Sequence, residues 1–219
     1  MTIALSAVIF DMDGVLIDSE PLWQLAELDV FHALGLPLTL EETHLTTGLR
    51  VDQLVEYWYA RMPWPDYDNA ATANAIVDAV VQRIMLEGDA MPFVMEALQA
   101  CRQTGLKIGL ATSSPMKLVN AVLDKLAIRH NFDAIESAER LKYGKPHPEV
   151  YLNCAAKLGI AATQCLAIED SFNGLIAARA ANMQTLVIPP AEQASQPRWA
   201  AAHHQFESLK RLPELLNER

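Results

Sequence analysis

The stretch LSAVIFDMDGVLIDSE, residues 5–20, decides the fold of this chain. Its first six residues form a short apolar run that stops abruptly at Asp11, a pattern typical of a buried β-strand. Similar apolar runs recur later, each followed by a polar cluster, at residues 107–111, 165–168 and 185–188. The repeated order of strand, polar turn and helical segment predicts a parallel sheet that helices cover on both faces.

Helical patterns fill the intervals between these runs, and we expect helices at residues 93–104, 115–126, 148–158 and 171–181. Gly105 and Gly159 follow the first and third of them, and glycine readily adopts the left-handed conformation that ends a helix. Ser171 is a candidate N-cap of the fourth. The predicted fold class is therefore α/β, with a three-layer, Rossmann-like parallel sheet as its core.

The region between residues 20 and 87 breaks this alternation. It contains only helical patterns, at residues 21–34, 51–61 and 69–86, and no strand-like run separates them. The simplest interpretation is an α-helical domain inserted after the first strand. We predict a core domain of residues 1–17 and 88–219 and a helical insert of residues 18–87, with Trp58 in the core of the insert.

Composition disfavours several classes of protein. Seventeen basic residues against 27 acidic ones give a formal net charge of −10, which would repel nucleic acid. No apolar run has the length of a membrane span, and we read the N-terminal run as a core strand and not as a signal peptide. Three cysteines without CxxC spacing suggest reduced, buried thiols with no catalytic role. We expect a cytoplasmic monomer that does not associate with membranes.

The candidate functional residues follow the predicted strands, because ligands of an open parallel sheet bind at the carboxyl ends of its strands. Lys145, in a loop before a helix, is a lone basic candidate. The others are Asp11 and Asp13 after the first strand, Thr112, Ser113 and Ser114 after the second, and Glu169 and Asp170 after the third. We expect four carboxylates, a hydroxyl cluster and one lysine to meet at one edge of the sheet.

Four carboxylates at one place would repel one another unless a cation lay between them. Oxygen ligands without a nearby set of cysteine and histidine residues favour Mg²⁺, which typically combines one or two carboxylates with a substrate phosphate. An aspartate about 4 Å from a phosphate dianion meets a repulsion of roughly 8 kcal/mol at an effective dielectric constant of about 20. The metal and the Lys145 ammonium would offset that repulsion. The substrate predicted from these residues is a small phosphorylated metabolite.

Four segments resemble the sequence motifs of the haloacid dehalogenase superfamily, in the order which that family has. They are DMDGVLIDS at 11–19, IGLATSS at 108–114, GKPHPEVY at 144–151 and IEDSFNG at 168–174. The helical insert is similar to the small cap of that family. Within the family, the chain most resembles the β-phosphoglucomutase-like subgroup and its enterobacterial sugar-phosphate and hexitol-phosphate phosphatases, including those that act on 2-deoxyglucose 6-phosphate.

The resemblance implies a role for each matching residue. Asp11 would be the nucleophile that forms an aspartyl-phosphate, and Asp13 the general acid and base. The Asp11 carboxylate, the Asp13 backbone carbonyl, Asp170 and Glu169, directly or through water, would hold Mg²⁺, for which Mn²⁺ or Co²⁺ would substitute. Substrate contacts would come from Asp11, Met12, Asp13, Thr112, Ser113 and Lys145. The family also implies a cis peptide between Lys145 and Pro146.

Three further residues bear on specificity. The resemblance implies that Arg50 contacts the distal side of the substrate, and an exposed cation at a helix start is an equally weighted interpretation. Glu20 and Trp23 lie at the hinge of the cap. Trp23 stands where β-phosphoglucomutase has a histidine, which favours hydrolysis over a hexose-phosphate mutase reaction. The mutase stays an alternative, and a phospho-accepting receiver-like module is a weaker one, because such a module needs neither Asp13 nor a lid.

Overall fold

The structure, a computed structural model, describes residues 4–217. Six strands form one parallel sheet in the order β3-β2-β1-β4-β5-β6. The strands are β1 (Ala7–Phe10), β2 (Lys107–Thr112), β3 (Ala134–Ser137), β4 (Cys165–Glu169), β5 (Gln184–Val187) and β6 (His204–Gln205). The predicted parallel sheet is confirmed, and β1 lies at its centre between β2 and β4.

The two edge strands, β3 and β6, were not predicted from the sequence. The segment AIES of β3 alternates buried and half-buried residues and contains no apolar run. Strand β6 has only two residues, which is too short for a periodic pattern. Both strands owe their conformation to hydrogen bonds with a single neighbouring strand, β2 and β5 respectively.

Helices cover both faces of the sheet, as expected. The helices are α1 (Glu20–Ala33), α2 (Leu40–Thr43), α3 (Val51–Arg61), α4 (Asn69–Glu87), α5 (Val94–Gln103), α6 (Met116–Lys125), α7 (Glu149–Leu158), α8 (Phe172–Ala180) and α9 (Leu212–Asn217). Side chains of α5, α6 and α9 share one apolar cluster with Val8 and Phe10 of β1. Those of α7 and α8 share another with Ala7 and Ile9. Strand β1 is therefore buried on both faces, which explains its unbroken apolar run.

The helical insert packs around its own aromatic side chains. Trp58 is fully buried and meets Phe31 edge to face with ring centroids 6.5 Å apart, and Phe31 also meets Trp64 at 5.8 Å. Trp58 therefore lies in the core of the insert, as predicted. Helix α4 packs on α1 and α3 and also on α6, where Lys117 pairs with Asp78. The insert thus rests on the same side of the sheet as α6, and its boundaries at residues 18 and 87 stay a prediction.

The structure bears on two of the expectations above, the burial of the cysteines and the lack of a membrane span. Cys101, Cys154 and Cys165 are all buried free thiols, as predicted. Within residues 4–217, no helix combines the length and the apolar character that a membrane crossing demands.

Candidate active site

The carboxyl ends of the three central strands meet where the sequence predicted. In the register of the sheet, Phe10 of β1 lies beside Leu110 of β2 and Ile168 of β4. Asp11, the next residue, donates its backbone N–H to the Ile168 carbonyl at 2.9 Å. Asp11, Thr112 and Glu169 are therefore neighbours across the sheet although 96 residues, 11–106, separate β1 from β2.

The buried ammonium group of Lys145 joins all three of these strand ends. Its Nζ donates to Asp11 Oδ1 at 2.7 Å, to Glu169 Oε1 at 2.6 Å and to the Ala111 carbonyl at 3.0 Å. Lys145 is 5% exposed, and the peptide bond that follows it, to Pro146, is cis, as the family resemblance implied. One cation thus compensates part of the charge of two buried carboxylates.

Glu169 has further partners that the sequence reasoning missed. The Tyr151 hydroxyl donates to Glu169 Oε1 at 2.5 Å, and the Ser171 hydroxyl donates to Oε2 at 3.1 Å. A methyl group at Gly174 would overlap the Glu169 carboxylate, so this close approach of helix α8 requires glycine. The only sequence signal for Tyr151 was its place at the end of the segment GKPHPEVY.

A cluster of carboxylate oxygens fits a hard divalent cation. Asp11, Glu169 and Asp170 each offer one oxygen, and these oxygens lie within 4.8 Å of one another. Gly14, with φ of +72°, lets the Asp170 carboxylate come so close that a methyl group there would overlap it. Oxygen donors alone suit Mg²⁺ and similar ions. The three carboxylates are close together and largely removed from water, so a bound cation would compensate their negative charge.

Burial and mutual repulsion raise the pKa values of two carboxylates of this cluster. Burial, with the charge of Glu169 adding to it, raises the pKa of Asp11 from 3.8 to about 7, although Lys145 opposes the rise. Burial and the charge of Asp11 raise the pKa of Asp170 well above its ordinary value. The pKa of Lys145 is raised by the same two carboxylates that it binds, although its burial opposes the rise. Lys145 therefore stays protonated while the carboxylates compete for charge compensation.

Asp13 occupies a different environment from Asp11, two residues away. Its Oδ1 accepts hydrogen bonds from the Ser19 hydroxyl at 2.6 Å and from the Trp23 indole N–H at 3.0 Å. Its Oδ2 accepts from the Ser114 hydroxyl at 2.6 Å. The carboxylate is therefore held between the core and helix α1 of the insert. The sequence predicted Ser114 at this edge of the sheet and Trp23 at the hinge, but it did not predict that either residue would donate a hydrogen bond to Asp13.

The remaining predicted core residues line the site in different ways. Thr112 and Ser113 line the cleft, and Thr112 Oγ1 accepts the Ser114 backbone N–H at 3.0 Å. Met12 has a fully buried side chain within the apolar core, so only its backbone is available for the predicted substrate contact. A cleft of about 750 Å³, measured with its open mouth, lies above these residues and below the insert.

Arg50 lines the cleft from the insert, but its guanidinium group already has partners. Its Nε and NH2 donate to the two oxygens of Asp52 at 2.6 and 2.7 Å. Its NH1 donates to the carbonyls of Ala138 and Leu141 in the core, at 3.1 and 2.8 Å. The side chain is 13% exposed, so the interpretation as an exposed cation is wrong. The predicted substrate contact of Arg50 stays a prediction.

Comparison with known proteins places this site in a family. Residues 5–182 match the haloacid dehalogenase-like hydrolases. The chain therefore belongs to the haloacid dehalogenase-like hydrolase family. It is 44% identical to hexitol phosphatase B of Escherichia coli (strain K12) over 207 residues, which cover 94% of this chain and 93% of that protein.

Two solved structures, of CbbY and of a β-phosphoglucomutase, are similar to this chain over almost its whole length. CbbY from Rhodobacter sphaeroides in complex with phosphate is 25% identical, with a TM-score of 0.83 over 95% of this chain and 96% of that one. The β-phosphoglucomutase of Clostridium difficile is 26% identical, with a TM-score of 0.82 over 98% of each chain. The family and subgroup that the sequence motifs suggested are confirmed.

The raised pKa of Asp11 predicts how stability depends on pH when divalent cations are chelated. The folded chain holds the Asp11 proton up to a pH of about 7, whereas the ordinary pKa is 3.8. The contribution of Asp11 to the free energy of unfolding should therefore be complete below about pH 4 and be lost as the pH rises towards 7. Asp11→Asn removes the titration, so in urea unfolding the variant should gain stability relative to the wild type over this range.

The matched control is Asp18→Asn, because Asp18 is an exposed carboxylate of the same loop. Its stability should stay within about 0.5 kcal/mol of the wild type at every pH. A difference between wild type and Asp11→Asn that does not change between pH 4 and 7 would contradict the prediction.

Proposed function

We propose that the chain is a Mg²⁺-dependent phosphatase that hydrolyses phosphate monoesters of sugars or sugar alcohols through an aspartyl-phosphate on Asp11. The observation that carries the proposal is the buried Lys145 ammonium between Asp11 and Glu169 at the carboxyl edge of the sheet. It offers an anionic nucleophile and a cation to the same anionic substrate. The similarity to hexitol phosphatase B supports the substrate class.

In the first step, an Asp11 carboxylate oxygen attacks phosphorus and the bond from phosphorus to the sugar oxygen breaks. Lys145 fixes one oxygen of Asp11 at 2.7 Å and offsets the negative charge of the transferring group. Thr112 and Ser113, which line the cleft beside Asp11, bind phosphoryl oxygens. Asp13 gives its proton to the departing sugar oxygen, so the leaving group departs as an alcohol.

In the second step, Asp13 takes a proton from a water molecule as that water attacks the aspartyl-phosphate. The bond from phosphorus to Asp11 breaks, and inorganic phosphate leaves. Asp13 suits both steps because Ser19, Trp23 and Ser114 fix the orientation of its carboxylate. A general acid and base must be held within hydrogen-bond reach of the reacting oxygen.

Mg²⁺, with Mn²⁺ or Co²⁺ as substitutes, would be held by the carboxylates of Asp11 and Asp170 and by the backbone carbonyl of Asp13. When bound, the metal supplies positive charge that both reacting anions share. Both Glu169 oxygens already accept hydrogen bonds, from Lys145, Tyr151 and Ser171. This occupancy favours a role for Glu169 through water instead of direct ligation.

The hydrogen bond from Trp23 to Asp13 favours hydrolysis over the mutase alternative. An indole N–H donates a hydrogen bond but neither accepts nor transfers a proton at neutral pH. Trp23 therefore orients Asp13 without offering a second group for proton transfer to a re-bound sugar phosphate. The receiver-like alternative lacks a use for Asp13 and for the insert that covers the cleft.

The proposal extends to organisation and compartment. Residues 18–87 form a cap over a core of residues 1–17 and 88–219, and the chain works as a cytoplasmic monomer on small metabolites. Three buried free thiols support a reducing compartment.

The purified chain should release inorganic phosphate from sorbitol 6-phosphate and 2-deoxyglucose 6-phosphate in the presence of Mg²⁺, and chelation should abolish the release. Asp11→Asn should lower turnover by at least about 10³-fold, because the amide is a poor nucleophile and carries no charge. A colorimetric phosphate assay measures both effects.

Asp18→Asn is again the control and should keep wild-type turnover. Substantial activity of Asp11→Asn would rule out the covalent mechanism. Conversion of a hexose phosphate into an isomer without phosphate release would support the mutase in place of the phosphatase.

Trp23→Phe should lower kcat about tenfold or more, since it removes one hydrogen bond to the charged Asp13 and keeps an aromatic ring. Acid quench with substrate labelled on phosphorus should show a larger fraction of phospho-enzyme at steady state, because the water-activating step is slowed. Trp64→Phe, a buried aromatic of the insert far from Asp13 in the sequence, is the control. Equal kcat values for the two variants would contradict the positioning role of Trp23.

A further inference from the structure

The insert side of the cleft contains a buried carboxylate that the mechanism above does not use. Glu27 of α1 is 4% exposed and lines the cleft. The hydrogen bond to its side chain in the described part of the chain comes from the Thr46 hydroxyl, at 3.3 Å to Oε2. Among residues 4–217, no lysine, arginine or histidine forms an ion pair with it.

Such a carboxylate is costly to the fold. Burial, with the charge of Glu20 adding to it, raises the pKa of Glu27 to about 8. A leucine of similar size would fill the same space without the cost of removing a carboxylate from water. A residue that breaks the local rule in this way without a structural gain commonly belongs to a functional site.

Three other polar side chains surround Glu27 at the cleft. Glu20 accepts the Thr47 hydroxyl at 2.6 Å and the Gln24 amide at 3.0 Å. Glu20, Thr46 and Thr47 all line the cleft with Glu27. We call Glu20, Glu27, Thr46 and Thr47 the insert subsite. It presents carboxylate acceptors next to hydroxyl groups that both donate and accept, the set that pairs with alcohol groups.

The charges of the cleft oppose a second anionic group. Among the cleft-lining residues that the structure describes, the cations are Lys145 and Arg50. Lys145 is bound to Asp11 and Glu169, and Arg50 is bound to Asp52 and to two backbone carbonyls. The insert subsite therefore lacks an uncompensated cation, and Glu20 adds negative charge.

We propose that the insert subsite binds the hydroxyl groups of an uncharged polyhydroxylated leaving group, with Glu27 as its central acceptor. The inference rests on the proposed phosphatase function and deepens it. It assigns the substrate class to monophosphates of polyols and sugars, and it disfavours bisphosphates and phosphorylated acids by charge repulsion at Glu20. The phosphoryl end of the substrate lies at Lys145, and the hydroxyl-rich end lies at α1.

The test compares substrates within one variant. Sorbitol 6-phosphate probes the insert subsite, and p-nitrophenyl phosphate has the same phosphoryl group without hydroxyl groups. Glu27→Leu should lower the ratio of kcat/KM for sorbitol 6-phosphate to kcat/KM for p-nitrophenyl phosphate about tenfold, because it removes one hydrogen-bond partner of the leaving group. Glu27→Gln, which keeps one acceptor oxygen and the contact with Thr46, should lower the ratio less.

The control is Glu56→Leu, the same substitution at an exposed position on α3 of the insert, and it should leave the ratio unchanged. Thermal unfolding checks the fold of each variant, and Glu27→Leu should melt no lower than the wild type because it removes a buried carboxylate. A purely structural role of Glu27 would lower the melting temperature and reduce both rates together, and that result would overturn the assignment.

Wild-type enzyme should also prefer sorbitol 6-phosphate over fructose 1,6-bisphosphate by about 100-fold or more in kcat/KM. If the wild type hydrolyses both monoesters and Glu27→Leu does not change their ratio, the insert subsite is wrong and the phosphatase stands. If the wild type hydrolyses neither monoester, the proposed function fails and the inference falls with it.

Discussion

The buried ammonium group of Lys145 is the interaction on which the rest of the site depends. It joins the end of β1 to the end of β4 through Asp11 and Glu169, at 2.7 and 2.6 Å. A buried ion pair gains little net stability, but removal of one partner leaves an uncompensated charge and commonly costs about 3–5 kcal/mol. Lys145 is therefore what lets two buried carboxylates stay close together.

Close packing of the carboxylates explains two glycines. Gly14 lies against the Asp170 carboxylate and Gly174 against that of Glu169, and at both positions a methyl group would overlap the carboxylate. The two aspartates of DMDG have different partners. Asp11 is buried beside Lys145, whereas Asp13 turns towards hydroxyl and indole donors. Different surroundings give two neighbouring carboxylates different chemistry.

Helix α1 links the two ends of the cleft. Glu20, Trp23 and Glu27 are three and four residues apart in turn, so they share one face of the helix. Trp23 holds Asp13, and the two glutamates face the cleft. A movement of this helix relative to the sheet would change the hydrogen bond to Asp13 and the proposed contacts of the leaving group together. In the proposed mechanism, recognition of the leaving group and proton transfer to it are therefore coupled through one helix.

The sequence by itself determined the central strands, most helices and the residues at the strand ends. Strand β1 is buried on both faces, so its apolar run is visible without knowledge of its neighbours, and the chemistry at each strand end follows from sheet geometry. The edge strands β3 and β6 lacked such a pattern, since pairing with one neighbour forms them. Element type could therefore be predicted where burial imposes a local pattern on the chain, and not at the edges of the sheet.

Only the tertiary structure decided which side chains meet. The bonds from Tyr151 to Glu169, from Ser114 to Asp13 and from Arg50 to the core carbonyls join residues that are 18, 101 and about 90 positions apart. No periodicity encodes such pairs, because they depend on strand order and on how the insert lies over the sheet. Glu27 reads as an ordinary helical glutamate until the packing of α1 buries it at the cleft.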